Sequence, residues 1–120
     1  MKTAAFLRGL VALFMAALVA QFYAAGLALF GAASFGLHAV LGYMLILTAA
    51  VIAGLSFFAG LSRSGKFLAV VILALAVLQP VLVLALRTTP VAAALHPVVG
   101  LAIFTAAAVV AREAGRPMKG

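Results

Sequence analysis

Residues 36–61 read GLHAVLGYMLILTAAVIAGLSFFAGL, a stretch without a single Asp, Glu, Lys or Arg. A helix needs about 20 apolar residues to cross the hydrocarbon core of a bilayer, and the backbone groups at that depth must be hydrogen-bonded within the segment. The stretch therefore predicts a transmembrane helix. Runs of the same character cover residues 6–30, 67–87 and 91–111, which predicts four spans in all.

The rest of the composition agrees with a membrane protein. Of the 120 residues, 69% are apolar and 8% are charged, and the mean hydropathy is +1.42. A water-soluble domain of this size could not bury so much apolar surface. We predict one all-α transmembrane domain over residues 1–120. The short connections favour an integral membrane up-down four-helix bundle made of two tandem helical hairpins.

The basic residues predict the orientation. Seven of the eight would lie on one side of the membrane if both termini were cytoplasmic, and only Arg87 would lie on the other. Those seven are Lys2, Arg8, Arg63, Lys66, Arg112, Arg116 and Lys119. Because basic residues concentrate in cytoplasmic loops, we expect a bacterial cytoplasmic (inner) membrane protein with both termini inside.

The net charge of +7 fits this placement, since it would face the anionic lipid bilayer. We therefore expect no nucleic-acid partner. The first apolar segment is longer than the core of a secretory signal, which is about 7–15 residues, so we expect it to be retained.

An internal repeat carries the polar residues of the apolar segments. The chain has two histidines, His38 and His96, and two glutamines, Gln21 and Gln79, and both pairs are separated by the same 58 positions. Two hairpins of equal orientation predict a pseudo-symmetry axis along the membrane normal.

The two histidine-bearing helices are diagonal partners in an up-down bundle. Neighbouring axes lie about 8–10 Å apart, and the diagonal is wider. We expect it to suit a flat cofactor between the two side chains and to be too wide for two imidazoles to meet well by themselves. Counting about 1.5 Å per residue places both histidines about 5–8 Å inside the outer boundary. The glutamines would lie roughly one turn deeper, in the same half of the membrane.

This arrangement points to haem b held between His38 and His96, because paired imidazoles are good axial ligands for a low-spin iron. Gly42 and Gly100, four positions after the histidines, would let a porphyrin edge lie against the helix backbone. Gln21 and Gln79 would accept a hydrogen bond from the second ring nitrogen of a histidine or line the floor of the pocket.

The haem propionates would need polar groups near water. Arg87, the only basic residue expected on the outer side, is the candidate, together with Thr88, Thr89 and Ser34.

Other functions lack the residues that they need. There is no cysteine for a thiolate site or a thioether haem attachment. Glu113, the only acidic residue, lies near the cytoplasmic end rather than inside the bundle, which argues against proton-coupled export. Two readings remain beside haem: a cofactor-free structural subunit of a membrane complex, and a small hydrophobic-ligand or quinone-binding module. Histidines near helix ends and small residues four apart also occur in ordinary helix packing.

The motifs Leu37-His38 with Gly42, and Leu95-His96-Pro97 with Gly100, resemble those of small bacterial four-helix membrane proteins in which a glutamine-bearing helix comes first. The chain also looks like a reduced haem-b membrane cytochrome. That resemblance implies electron transfer with a quinol or an external redox protein, and a non-enzymatic carrier or subunit rather than an enzyme.

The resemblance has one clear departure. Cytochromes with two haems need four histidines, whereas this chain has two, which implies one haem and no complete electron path across the membrane. A homo-oligomer or a larger membrane complex stays open as the setting.

Overall fold

A computed structural model describes residues 2–85 and 88–116 of the chain. It contains the helices α1 (Lys2–Leu29), α2 (Phe35–Ser56), α3 (Arg63–Leu84), α4 (Pro90–Ala93) and α5 (Leu95–Ala114). The short helix α4 precedes α5 with only Ala94 between them, and together they form the fourth long segment. All four long segments are apolar enough to cross a membrane, which confirms the predicted all-α four-helix architecture.

The helices begin and end where the local sequence directs them. Ser34 and Ser62 precede α2 and α3, and the hydroxyl of each accepts a hydrogen bond from a backbone N–H in the first turn. Such N-caps satisfy one of the amide groups that have no partner inside the helix. Gly31 and Gly60 adopt φ values of 74° and 71°, a left-handed conformation that favours glycine and turns the chain after α1 and α2.

Helices α1 and α3 each pack against both α2 and α5, so the diagonals of the bundle are α1 with α3 and α2 with α5. The bundle measures 52 × 26 × 18 Å. We call the end with the 30–34 loop and α4 the histidine end. The opposite end, with the start of α1 and the close of α5, is the terminal end.

The buried positions follow the 58-residue spacing. Along each long helix most buried residues lie three or four positions apart, which forms a stripe towards the centre. The equivalent buried pairs in the two hairpins are Val11 and Ala69, Phe14 and Ile72, Leu18 and Ala76, Leu45 and Ile103, Ala49 and Ala107, and Ile52 and Val110. The repeat therefore governs the core as well as the polar residues.

The helix bounds differ from the predicted spans at the terminal end. Helix α1 begins at Lys2 rather than near residue 6, and α3 begins at Arg63 rather than 67, because basic residues at a membrane boundary join the helix. Helix α2 ends at Ser56 although apolar residues continue to Leu61. The positive φ of Gly60 turns the chain there, while Leu61 remains buried.

Glu113 joins α5 to α3 at the terminal end. One carboxylate oxygen accepts a hydrogen bond of 2.5 Å from the Ser62 backbone N–H. The carboxylate also lies against Gly65, where a Cβ atom would collide with it. A negative charge at the start of a helix is favourable because the helix dipole is positive there. The chain's only acidic residue is thus used to join two helices.

We expect Gly65→Ala to destabilise the bundle, because the added methyl would push the carboxylate off the α3 N-terminus. The free energy of unfolding should fall by about 0.3–1 kcal/mol, the usual value of a charge at a helix terminus, because the flexible carboxylate can move aside. Gly9→Ala is the matched control, since its Cβ meets nothing within 4 Å. Thermal unfolding in detergent checks both. In a Glu113→Ala background, Gly65→Ala should cost no more than the control; an unchanged cost there would contradict the assigned contact.

Candidate ligand site at the histidine end

The two histidines meet across a diagonal of the bundle. His38 lies in the first turn of α2 and His96 is the second residue of α5, and both side chains are half-buried. Their ring centroids are 5.9 Å apart with an interplanar angle of 60°. The expectation that the diagonal is too wide for the imidazoles to meet is therefore wrong.

The imidazole side chains, and not a close approach of the helix backbones, bring the two rings together. In the described part of the chain, no Cα atom of α2 lies within 8 Å of a Cα atom of α5. Large side chains are buried on both faces below the histidines, among them Leu45 on α2 and Ile103 on α5. The sequence estimate considered the spacing of the helix axes and left out the inward reach of the two imidazoles.

Each histidine is fixed by a backbone carbonyl of its own hairpin. His38 Nδ1 lies 3.1 Å from the Gln21 carbonyl oxygen, and His96 Nδ1 lies 3.3 Å from the Gln79 carbonyl oxygen. A carbonyl oxygen only accepts hydrogen bonds, so Nδ1 must be the protonated, donating nitrogen in both rings. In the neutral imidazole, Nε2 then keeps its lone pair for a ligand.

The pairing of glutamine with histidine agrees with the sequence prediction, but the atom differs. The predicted acceptor was the glutamine side chain, whereas the structure uses the glutamine main chain. A helical carbonyl has a second lone pair beyond its intrahelical bond, so Gln21 and Gln79 accept this bond without leaving the helix.

The glutamine side chains lie against the two glycines. A Cβ atom on Gly42 would stand 3.0 Å from Gln21 Nε2, and one on Gly100 would stand 3.4 Å from Gln79 Nε2. We expected a porphyrin edge to use the room above each glycine. An amide group occupies that room above Gly42, and the Phe22 ring together with an amide group occupies it above Gly100. A macrocycle lying there would have to displace both amides.

Two buried oxygens near the histidines have no hydrogen-bond partner among the described residues: Gln21 Oε1 and Gln79 Oε1. An unsatisfied buried acceptor costs about 1–3 kcal/mol, and this site carries the same cost twice. A ligand or water that donates hydrogen bonds would remove it. The two unpaired acceptors lie at equivalent positions of the repeat.

Two aromatic residues that the sequence did not single out also reach the site. Phe35 contacts His38 edge-to-face, with ring centroids 6.1 Å apart, and the Phe22 ring lies against Gly100. Phe22 directly follows Gln21, and Phe35 lies one turn before His38. Their positions beside these two polar residues could have indicated from the sequence that they reach the site. The equivalent positions in the second hairpin are Pro80 and Ala93, and hence the two halves of the site differ.

The predicted propionate-binding residues take other places. Arg87 lies outside the described residues. Ser34 caps α2 through its hydroxyl, and the Thr88 hydroxyl donates a hydrogen bond of 3.4 Å to the Ala85 carbonyl. Thr89 is the N-cap residue of α4 but makes no side-chain capping bond.

The chemistry of the donor set limits what the site can hold. Within residues 2–85 and 88–116 there is no cluster of three or more His, Cys, Asp or Glu side chains. The atoms that could bind a metal are therefore two imidazole nitrogens and two amide oxygens, and no acidic side chain lies at this end. That set can ligate a metal in trans through the imidazoles or accept hydrogen bonds from a polar ligand.

Comparison with known proteins places the chain in a family. Residues 21–88, more than half of the chain, match the model of a family of unknown function, DUF6220. The chain belongs to the DUF6220 family. No curated protein and no solved structure matches it. The range matched to DUF6220 contains Gln21, His38, Gly42 and Gln79, whereas His96 and Gly100 follow it.

We expect both histidines of this DUF6220 protein to carry their proton on Nδ1 in the ligand-free neutral state, because each Nδ1 donates to a carbonyl. Nitrogen-15 NMR of histidine-labelled protein in detergent would measure this, since protonated and unprotonated ring nitrogens differ widely in chemical shift. Protonation on Nε2 in either ring would contradict the hydrogen bonds described above. The His38→Ala and His96→Ala variants assign the two sets of signals.

Proposed function

We propose that the histidine end binds one haem b with His38 and His96 as axial ligands. The single observation that carries this proposal is the pair of imidazoles, each held through Nδ1 by a backbone carbonyl, with centroids 5.9 Å apart. Histidines that bind a metal commonly donate a hydrogen bond from their second ring N–H to such an oxygen. This bond fixes the ring and makes Nε2 a better ligand.

The distance between the rings agrees with a shared metal. Imidazole–metal bonds are about 2 Å long, so two imidazoles that share a metal would have ring centroids roughly 6 Å apart. The observed 5.9 Å is close to that value. The separation of the two rings therefore supports a metal shared between them.

The porphyrin ring needs more space than the iron does. Room for it beside the imidazoles would come from Gln21 and Gln79, whose amides now fill the space over Gly42 and Gly100. Haem, when bound, supplies one-electron chemistry whose potential depends on its ligands and on burial. The chain holds and orients the imidazoles and surrounds them with apolar residues that limit access of water.

We further propose that the protein lies in the bacterial cytoplasmic membrane with both termini inside, so that the histidine end is near the outer face. The basic residues of the terminal end support this orientation. A site in the outer half is within reach of a quinol or an external redox protein. The protein would then act as an electron carrier or a subunit of a larger complex, and not as an enzyme by itself.

A specific observation favours a second candidate, a quinol-binding module without iron. Four polar atoms of the site, the two histidine Nε2 and the two glutamine Oε1, are acceptors in the neutral protein and have no partner among the described residues. A quinol presents two hydroxyl donors on an apolar ring. It would satisfy buried acceptors that the axial ligation of a metal leaves unpaired.

The first test is the absorption spectrum of detergent-purified protein from cells supplied with a haem precursor. We expect a low-spin spectrum after reduction and about one haem per chain, as two imidazole ligands imply. His38→Ala and His96→Ala should each lower haem content at least about tenfold, since even indirect partners of a metal site have effects of that order. Tyr43→Phe, an exposed change in the same helix, is the control. Full haem content in both histidine variants would refute the proposal.

Replacing the two glutamines distinguishes haem binding from quinol binding, because the expected effects on the two ligands are opposite. Replacing both Gln21 and Gln79 with alanine should maintain or raise haem content, since it opens room beside Gly42 and removes one of the two groups that cover Gly100. The same variant should lose bound quinol, since it removes two acceptors. Haem content and extracted quinone, measured on one preparation, give the result. Colourless wild-type protein that loses its quinone in this variant would establish the second candidate instead.

A further inference from the structure

A pocket at the terminal end lies between α1 and α5, on the opposite side of the membrane from the histidines. It has a volume of about 330 Å³ and is lined by Arg8, Ala111, Arg112 and Gly115. Two guanidinium groups from adjacent helices thus border one opening. Arginine binds phosphate well because its planar group can donate two parallel hydrogen bonds.

Gly115 leaves room for the Arg8 side chain in this pocket. A Cβ atom on Gly115 would stand 3.2–3.4 Å from the Nη1, Cζ and Cδ atoms of Arg8. A Cβ atom at position 115 would require the Arg8 side chain to shift by a few tenths of an ångström, and a larger side chain would displace its guanidinium further from α5. The pocket depends on this close contact between a side chain of α1 and the end of α5.

The two arginines have no carboxylate side chain to neutralise them. Glu113 is the only acidic residue of the chain, and its carboxylate is bound to the Ser62 N–H at the start of α3. Within the described part of the chain, no salt bridge involves Arg8 or Arg112. The pocket is therefore a site of concentrated positive charge that is open to an anionic ligand.

Apolar residues continue from the pocket towards the middle of the membrane. On the faces that carry the two arginines, the next turns present Ala12 and Met15 on α1 and Phe104 and Ala108 on α5. All four are at least partly exposed. A phosphate group held by the arginines would thus have an apolar surface below it.

We propose that this pocket binds the head group of an anionic phospholipid, with the phosphate between Arg8 and Arg112 and an acyl chain along α1 and α5. Basic pockets between transmembrane helices are typical sites for anionic head groups. The site is independent of any ligand at the histidine end.

Native mass spectrometry of the full chain in detergent tests the proposal with phosphatidylglycerol, with phosphatidylcholine of the same acyl chains, and with inorganic phosphate. We expect phosphatidylglycerol to remain bound under activation that removes phosphatidylcholine. Arg8→Gln combined with Arg112→Gln should lower its occupancy about tenfold more than the control Arg63→Gln combined with Lys66→Gln, which removes equal charge from the same end. Equal losses in the two double variants would overturn the site, since charge alone would then explain binding.

Gly115→Leu keeps both arginines and serves as the second variant. It should also lower phosphatidylglycerol occupancy relative to the control pair, because leucine displaces the Arg8 guanidinium. Occupancy equal to wild type would overturn the proposed geometry, even if the double arginine variant failed to fold. Inorganic phosphate that displaces phosphatidylglycerol at equal concentration would show that the ligand is free phosphate rather than lipid.

Discussion

Close packing of helix backbones over small residues is the constraint on which the rest of this structure depends. Lipid tails are as apolar as the side chains, so burial of apolar surface gives little drive for helices to associate within a bilayer. Association must come from van der Waals contact, which alanine and glycine permit at short range. Ala49, Ala69 and Ala107 are completely buried and lie at the centre of this bundle. Across one diagonal of this bundle the side chains of His38 and His96 reach far enough inward to meet.

The helical class and the number of spans could be predicted from composition, because a long apolar run has few other structures in a bilayer. The inward face of each helix could not be predicted from hydropathy. Leu13 is 66% exposed and Leu18 only 5%, although both are leucines of the same helix. Apolar side chains are suitable for the core and for lipid alike, and thus the usual alternation of polar and apolar faces is missing. The repeat would have been the better guide, since buried positions recur at its spacing.

The sequence also allowed the residues of the site to be predicted, but not the atoms through which they contact one another. Common spacing identified the histidines, the glutamines and the two glycines, and the structure brings all six to one end of the bundle. Spacing does not specify which atom of a glutamine faces a histidine. That choice depends on helix rotation and side-chain rotamers, and the helical carbonyl is nearer than the flexible amide. The amide takes the room beside the glycine instead, and this exchange determines how much space remains for a ligand.

Differences between the two hairpins matter for function as much as their likeness does. Phe22 contacts Gly100 and Phe35 contacts His38, whereas the equivalent positions of the repeat hold Pro80 and Ala93. The two imidazoles therefore have equal hydrogen bonds but unequal neighbours. A symmetric ligand would meet two distinct sides, one of them more aromatic. In this way a duplicated hairpin retains two equivalent imidazoles, and the residues around them would give a bound ligand a direction.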